Sequence, residues 1–466
     1  MPAGSFTPAQ WYALVEHELL LFAGLFFLIG TLDELAVDLI WLRLRLSGRA
    51  RSAVITDNET CRPLGGIAAV FIPAWREDAV IGVTVRHALR CWPQEDLRLY
   101  IGCYRNDPKT VEAVLDAANG DPRLRLVIHG RDGPSTKADC LNRLYRGLEE
   151  DERRSGRTAR MIVMHDAEDM VDPAALNLLD NEIGAAALVQ LPVLPHPLPQ
   201  SRWIASHYCE EFAEAHGKAM VVRDALGAGL PTAGVGCAIA RSALVALDRK
   251  RKSDGPFASE CLTEDYELGL GISALGGRSR FVRCRTTDGR LVATRACFPA
   301  RLDWAVRQKA RWVHGIAFQS WDRLGWGRHP ADLWMRLRDR RGPMTALVLA
   351  MGYLLLFLAT LGWLGRLAGL GTELPTSPAV TLLLGINVAG FFWRVAWRFA
   401  FTAREYGWLE GFRAVLRIPV TNVIAIMAGR RALTGYVASL WGRSPSWDKT
   451  SHTVHPAMQI GAETAR

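Results

Sequence analysis

The apolar residues of this 466-residue chain are gathered into long runs near its two ends. Met344–Leu364 and Ala379–Ala400 are each long enough, as helix, to cross a hydrocarbon core of about 30 Å. Leu19–Thr31 (LLLFAGLFFLIGT) is shorter, and reaches that length only if its helical pattern runs on through Leu35–Leu42. The continuation carries Asp33, Glu34 and Asp38, which are costly in lipid and are therefore expected at the cytoplasmic end of the span. Residues 1–18 hold no lysine or arginine and no small-residue cleavage site follows, so this run is not read as a secretory signal.

Arginine placement orients these spans. Arg43, Arg45, Arg49 and Arg51 follow the first, Arg336, Arg338, Arg340 and Arg341 precede the second, and Arg394, Arg398 and Arg404 lie at or beyond the end of the third. The connection between the second and third carries a lone Arg366. By the positive-inside rule the amino terminus and the 371–378 loop lie outside, and the middle of the chain lies in the cytoplasm. The expected division is a membrane helix in 1–45, a cytoplasmic domain over 52–340, two membrane helices in 343–401, and an interfacial helix with a cytoplasmic tail in 402–466. The interfacial assignment rests on Ile418–Ala428, which is short, contains Pro419 and is bracketed by Arg413, Arg417, Arg430 and Arg431; a fourth crossing is the alternative. Lysine and arginine number 56 against 47 acids, a formal charge of +9. Much of that excess flanks the membrane, so no nucleic-acid partner is expected and the lipid bilayer is. The 9 cysteines are scattered, with no CxxC pair, which suits a reducing compartment.

The middle segment alternates between short apolar runs and helical stretches. Strands are predicted at Gly66–Pro73, Leu97–Tyr104, Leu124–His129 and Met161–His165, with helices at 78–90, 109–118 and 136–149 between them. Such βαβ units build a mostly parallel sheet, whose ligands lie beyond the carboxyl ends of the strands. Pro73 and Glu77 follow the first strand, and Asp107 follows the second within Tyr104-Arg105-Asn106-Asp107. Lys137 opens the third helix in K-A-D-C-L-N. Asp166, Glu168 and Asp169 follow the fourth strand.

Three carboxylates crowded at one strand end suit a hard divalent cation, Mg2+ or Mn2+, which would in turn hold a diphosphate beside Lys137. The same residues also read as an acidic helix start, with Asp172-Pro173 as cap and first-turn proline. Thr263-Glu264-Asp265 precedes the amphipathic stretch Tyr266–Leu275 and has the same two readings. Gln308, Arg311 and Trp312 are spaced i, i+3, i+4 within a helical stretch at 301–319, which puts an amide, a guanidinium and an indole on one face. An ordinary amphipathic helix lying on the membrane would show that pattern as well. His165 is read as a strand-end residue, and His207 and His216, in a helical stretch at 201–226, receive no role.

The order of these motifs is more specific than any one of them. A proline after the first strand, K-A-x-x-L-N, D-A-x-D-x-x-x-P, T-E-D, Q-x-x-R-W and then membrane helices resembles the membrane-embedded, cellulose-synthase-like branch of the family 2 glycosyltransferases. Within that branch it is similar to the inner-membrane glycosyltransferases of phage adsorption, over roughly residues 60–455. The resemblance implies a GT-A fold, a nucleotide-diphospho-sugar donor (a UDP-sugar) and a glycan acceptor. The family's metal-binding D-x-D falls on Asp166 and Glu168, with Asp169 as the neighbouring carboxylate. The T-E-D base falls on Asp265, preceded by Glu264, and Q-x-x-R-W falls on Gln308, Arg311 and Trp312, which in the family line the acceptor and diphosphate region. The nucleotide-binding aspartate falls on Asp107, although the usual D-D is missing. In processive relatives a threonine-bearing loop gates the nucleotide site, which points to Lys449, Thr450 and His452 as gating-loop candidates.

The implied activity is an inverting, metal-dependent hexosyl transfer at a bacterial inner membrane, with Asp265 as general base. A catalytically silent scaffold or receptor component of an exopolysaccharide export system is the alternative, distinguished by whether Asp265 is needed for turnover. Two or three crossings are too few for a wide channel, so export would take an outer-membrane or other export partner, or a homo-oligomer.

Overall fold

The computed structural model describes residues 7–50, 52–56, 60–251, 254–327, 329–368, 377–442 and 455–458. Its centre is a seven-stranded sheet: β1 (Ile67–Pro73), β2 (Leu97–Tyr104), β3 (Leu124–His129), β4 (Ala159–Met164), β5 (Leu188–Gln190), β6 (Cys237–Ala240) and β7 (Ser279–Phe281). The order across the sheet is β3-β2-β1-β4-β6-β5-β7. β1 pairs in parallel with β2 and β4, as do β2 with β3 and β5 with β7; β6 runs antiparallel to both β4 and β5.

β1 reads as an unbroken apolar run because both of its faces are covered. Ala68, Val70 and Ile72 enter a core with helices Ile81–Cys91, Pro108–Ala118 and Ala175–Ile183. Ile67, Ala69 and Phe71 enter a second core with helices Lys137–Ser155, Arg241–Arg251 and Glu264–Ala274. The chain turns outward in opposite directions from β1 and β4, so the crevice beyond their carboxyl ends is the natural place for a ligand.

Among the described residues, three helices are long and apolar enough to cross a membrane: Pro8–Leu46, Gly342–Leu367 and Pro378–Tyr406. The first is one unbroken helix that carries its acidic residues with it. Those acids are knit into the body of the protein. Asp33 accepts from Trp334 Nε1 at 2.7 Å, Glu34 pairs with Arg338 at 2.9 Å and Arg394 at 3.2 Å, and the buried Asp38 pairs with Lys218 and accepts from Trp393 Nε1 at 2.8 Å.

Two expectations change in detail. The single interfacial helix expected within 402–466 is two helices, Trp408–Leu416 and Ile418–Leu440, meeting at 53°. Arg417 sits at their junction, fully buried between Glu210 and Glu410, and Pro419 occupies the first turn of the second, where its missing N–H costs nothing. The pair is long and apolar enough to count as a fourth, bent span. The stretch 201–226 is also interrupted: helix His207–Glu214 widens into a π turn at Ala215–Ala219 before Met220–Ala225. Gly217 makes this seat possible, since a Cβ there would lie 2.6 Å from the Phe401 ring.

Candidate active site

The loop after β4 is organised by Asp169. Its Oδ2 accepts from the Asp166 backbone N–H at 2.9 Å and faces His165 Nδ1 at 3.0 Å, all in a buried setting. Asp169 thus ties the loop together and also lines the cavity beside Asp166 and Glu168. Burial, followed by the charges of Asp166, Glu77 and Asp169, pushes the Glu168 carboxyl well above the usual range. Such crowding of negative charge is relieved by a cation, and two carboxylates are what a hard divalent ion takes from a protein when substrate phosphate completes its shell. In keeping with so sparse a donor set, the described residues contain no group of three His, Cys, Asp or Glu side chains arranged to hold a metal by themselves.

Lys137 is the first residue of helix Lys137–Ser155, whose cap is Thr136 accepting from the Asp139 N–H at 3.2 Å. Its Nζ lies 2.5 Å from Asp166 Oδ1 and 3.9 Å from Glu264 Oε1. Burial would lower the ammonium's pKa, but Asp166, Glu264 and Asp265 outweigh it and hold it well above the ordinary lysine value. Asn142, one turn on, grips the main chain of Phe257 on both sides: Asn142 Nδ2 donates to the Phe257 carbonyl and Phe257 N–H donates to Asn142 Oδ1, each at 2.9 Å. That clamp positions the segment 259–265, which lines the cavity.

Glu264 and Asp265 open helix Glu264–Ala274. Asp265 Oδ1 accepts from the Tyr266 N–H at 2.7 Å, and Thr232 Oγ1 donates to the Asp265 carbonyl at 3.0 Å. Burial pushes Asp265 above its ordinary value against the pull of Lys137. Burial and then the charge of Asp265 push Glu264 up to about 7. The other carboxylate oxygen has room because residue 234 is glycine: with φ of +74°, a Cβ there would sit 2.8 Å from Asp265 Oδ2. Gly234→Ala is therefore expected to displace this carboxylate, with a fall in kcat of about 10-fold or more and little change in donor affinity. Steady-state kinetics on the two proteins would check this; equal kcat would remove the steric role of Gly234.

Gln308, Arg311 and Trp312 project from helix Leu302–Val313 into the same cavity. Gln308 Oε1 and Arg311 Nε are buried without a hydrogen-bond partner. Polar atoms in that state are expensive unless a ligand satisfies them. Trp312 belongs to an aromatic wall in which Tyr208 stacks on Phe298 (4.5 Å between centroids) and Phe212 lies 5.3 Å from Phe298. The cavity, about 190 Å3, is lined by Lys137, Asp166, Glu168 and Asp169, by Phe212, Phe298 and Trp312, and by Glu264, Asp265, Gln308 and Arg311.

Pro73, Glu77 and Asp107 are not on this cavity's wall. Asp107 precedes helix Pro108–Ala118 and its Oδ2 accepts from the Arg76 N–H at 2.6 Å, while the Glu77 N–H donates to Thr110 Oγ1 at 3.0 Å. Glu77 still reaches the site through its charge on Glu168. Lys449, Thr450 and His452 lie outside the described residues. His216, left without a role above, accepts from the Val193 N–H at 2.9 Å and so braces a strand on the cavity wall. Sequence reasoning passed over Asn142, Phe298 and Gly234. Asn142 stands in plain view within K-A-D-C-L-N, and Gly234 and Gly236 in T-A-G-V-G-C just before β6 are the kind of pair that marks positive-φ backbone.

The family model described as "Glycosyltransferase like family 2" matches residues 66–315. The chain is 31% identical over 470 residues to bacteriophage adsorption protein B of Escherichia coli K12, a match covering 95% of this chain and 63% of that protein. Bacteriophage N4 adsorption protein B of Escherichia coli O157:H7 matches with the same identity and coverage. This chain therefore spans a little under two thirds of the length of these curated relatives. Among solved structures, the mannosyltransferase PcManGT from Pyrobaculum calidifontis, in complex with GDP-Man and Mn2+, is 17% identical with a TM-score of 0.46, covering 85% of this chain and 98% of that one. Glucosyl-3-phosphoglycerate synthase from Mycobacterium tuberculosis, with Mn2+, UDP and phosphoglyceric acid, is 18% identical with a TM-score of 0.33, covering 55% of this chain and 78% of that one. By its matched domain the chain belongs to the glycosyltransferase-like family 2, and its mostly parallel sheet is the GT-A fold.

Proposed function

We propose that this protein is an inverting glycosyltransferase of a bacterial inner membrane, transferring a hexosyl group from a UDP-sugar to a glycan acceptor on the cytoplasmic side. The observation that carries this reading is the placing of Lys137, whose ammonium stands within charge reach of both Asp166 and the Glu264–Asp265 pair. It brings a diphosphate-binding edge and a proton acceptor into one cavity.

An acceptor hydroxyl loses its proton to Asp265, its oxygen forms a bond to the anomeric carbon, and the bond from that carbon to the diphosphate oxygen breaks on the opposite face. The orphaned Nε of Arg311 suits the charge that collects on the leaving diphosphate. Gln308 orients a sugar or phosphate oxygen, and Trp312 with Phe298 offers apolar faces to the acceptor ring. Asp166 and Glu168 would hold Mg2+ or Mn2+, which when bound supplies further charge neutralisation at the diphosphate.

Detergent-solubilised protein with Mn2+, a panel of UDP-sugars and glycan acceptors should release UDP in proportion to glycosidic product. Acceptor-independent silence with every nucleotide sugar would overturn the proposal. Because Asp265 must be deprotonated and its pKa is raised above 3.8, the rate should fall on the acid side at a higher pH than an ordinary aspartate would give. Glu264, pushed up to about 7 by burial and by the charge of Asp265, is neutral where Asp265 titrates, so Glu264→Gln should leave that acid limb in place; a pH–rate profile whose acid limb disappears in Glu264→Gln would assign the limiting carboxyl to Glu264 and count against Asp265 as base.

A further inference from the structure

The loop bearing Asp166 and Glu168 is held by its carbonyls. Thr84 Oγ1 donates to the Ala167 carbonyl at 2.5 Å, His87 Nε2 to that of Val171 at 2.9 Å, and Trp92 Nε1 to that of Asp172 at 3.1 Å. These three donors come from helix Ile81–Cys91 and the residue after it. Met170 is paired in both directions with the Arg295 backbone, at 2.8 and 3.0 Å. The Asp169 carbonyl has a side-chain donor from nearly 300 residues further along: His455 Nε2 lies 3.2 Å from it.

His455 is fully buried, although it lies near the end of the chain. Its Nδ1 accepts from the Ala457 N–H at 3.1 Å, which assigns the ring proton to Nε2 and makes that nitrogen the donor. The residue therefore has both ring nitrogens satisfied, and one of them serves the loop rather than its own segment. The Asp169 side chain in turn holds the Asp166 N–H and His165. A shift of the Asp169 peptide would be passed directly to the carboxylate that faces Lys137.

We infer that His455 is a positioning residue of the donor site: the carboxy-terminal segment 455–458 completes the set of donors that fixes the Asp166–Glu168 loop. The functional consequence rests on the nucleotide-sugar reading above, whereas the mechanical one does not. Nothing in the local sequence of the loop supplies this fourth donor, so the site is complete only when the far end of the chain has returned to it.

The full-length protein in detergent, wild type, His455→Ala and His455→Gln, would be compared in two ways. Amide hydrogen exchange of residues 165–172 without any ligand reads the positioning directly. His455→Ala should speed exchange there by about 10-fold or more while β1–β3 stay unchanged, and His455→Gln, whose amide N–H can reach the same carbonyl, should restore most of the protection. Calorimetric binding of UDP with Mn2+ should weaken by about 10-fold in His455→Ala, within the range for partners that orient metal-holding side chains, and recover in His455→Gln. Exchange at 165–172 equal in all three proteins overturns the inference, as does acceleration spread over the whole sheet in both variants, which is global destabilisation. Loop exchange that responds as expected in a protein binding no nucleotide would uphold the positioning and overturn the nucleotide-sugar reading instead.

Discussion

Asp265→Asn is expected to lower kcat by about 10^2 to 10^4, the usual contribution of a positioned general base, while the donor binds almost as before. Asparagine keeps the shape and the Oδ1 contact with the Tyr266 N–H, so the helix start and the room beside Gly234 survive. What it loses is the ability to take a proton from the acceptor. Lys137 would then face Asp166 and Glu264 with one negative charge fewer, a change that leaves the diphosphate-binding edge intact. UDP binding by calorimetry and turnover by UDP release separate the two effects. A variant that turns over at the wild-type rate, or one that loses nucleotide binding to the same degree as turnover, would remove Asp265 from the base role.

The second large effect is on stability. Lys218 lies in the π turn Ala215–Ala219, buried between Asp38 of helix Pro8–Leu46 and Glu214, and 5.6 Å from the Trp397 ring centroid. Lys218→Met removes the cation and leaves Asp38, which is fully buried, with only the Trp393 N–H. Removing one partner of a buried ion pair costs about 3–5 kcal/mol because the other charge stays behind. The melting temperature in detergent should fall by several degrees for a chain of this size. The double variant Lys218→Met/Asp38→Asn should recover most of the loss, since Glu214 keeps Arg394 at 2.7 Å and no charge is stranded. A single variant that melts with the wild type would show that water reaches this pair.

Much of the frame was open to a reader of the sequence because burial writes itself into composition. β1 to β4 are short apolar runs since both faces of the sheet are covered, and the long helices carry apolar runs of membrane-spanning length. Asp265, Gln308, Arg311 and Trp312 were legible through spacing: helix periodicity puts the last three on one face, and the motif order did the rest. The antiparallel β6 was not foreseen, because four residues of C-A-I-A carry no sign of their direction. The break at Arg417 and the π turn at 215–219 were equally hidden, being set by what packs against them.

The distinction is sharpest in Asp166-Ala167-Glu168-Asp169. By itself the sequence determined that several carboxylates would cluster at the end of a parallel strand, since strand, loop and acidic residues are all local properties. Only the tertiary structure decided that Asp169, which lines the cavity beside Asp166 and Glu168, is also the one that holds the loop. Asp169 turns inward to His165 and the Asp166 amide, and its carbonyl is capped by His455. The last of these contacts comes from 286 residues further along the chain, brought there by the tertiary fold rather than by any pattern within the motif.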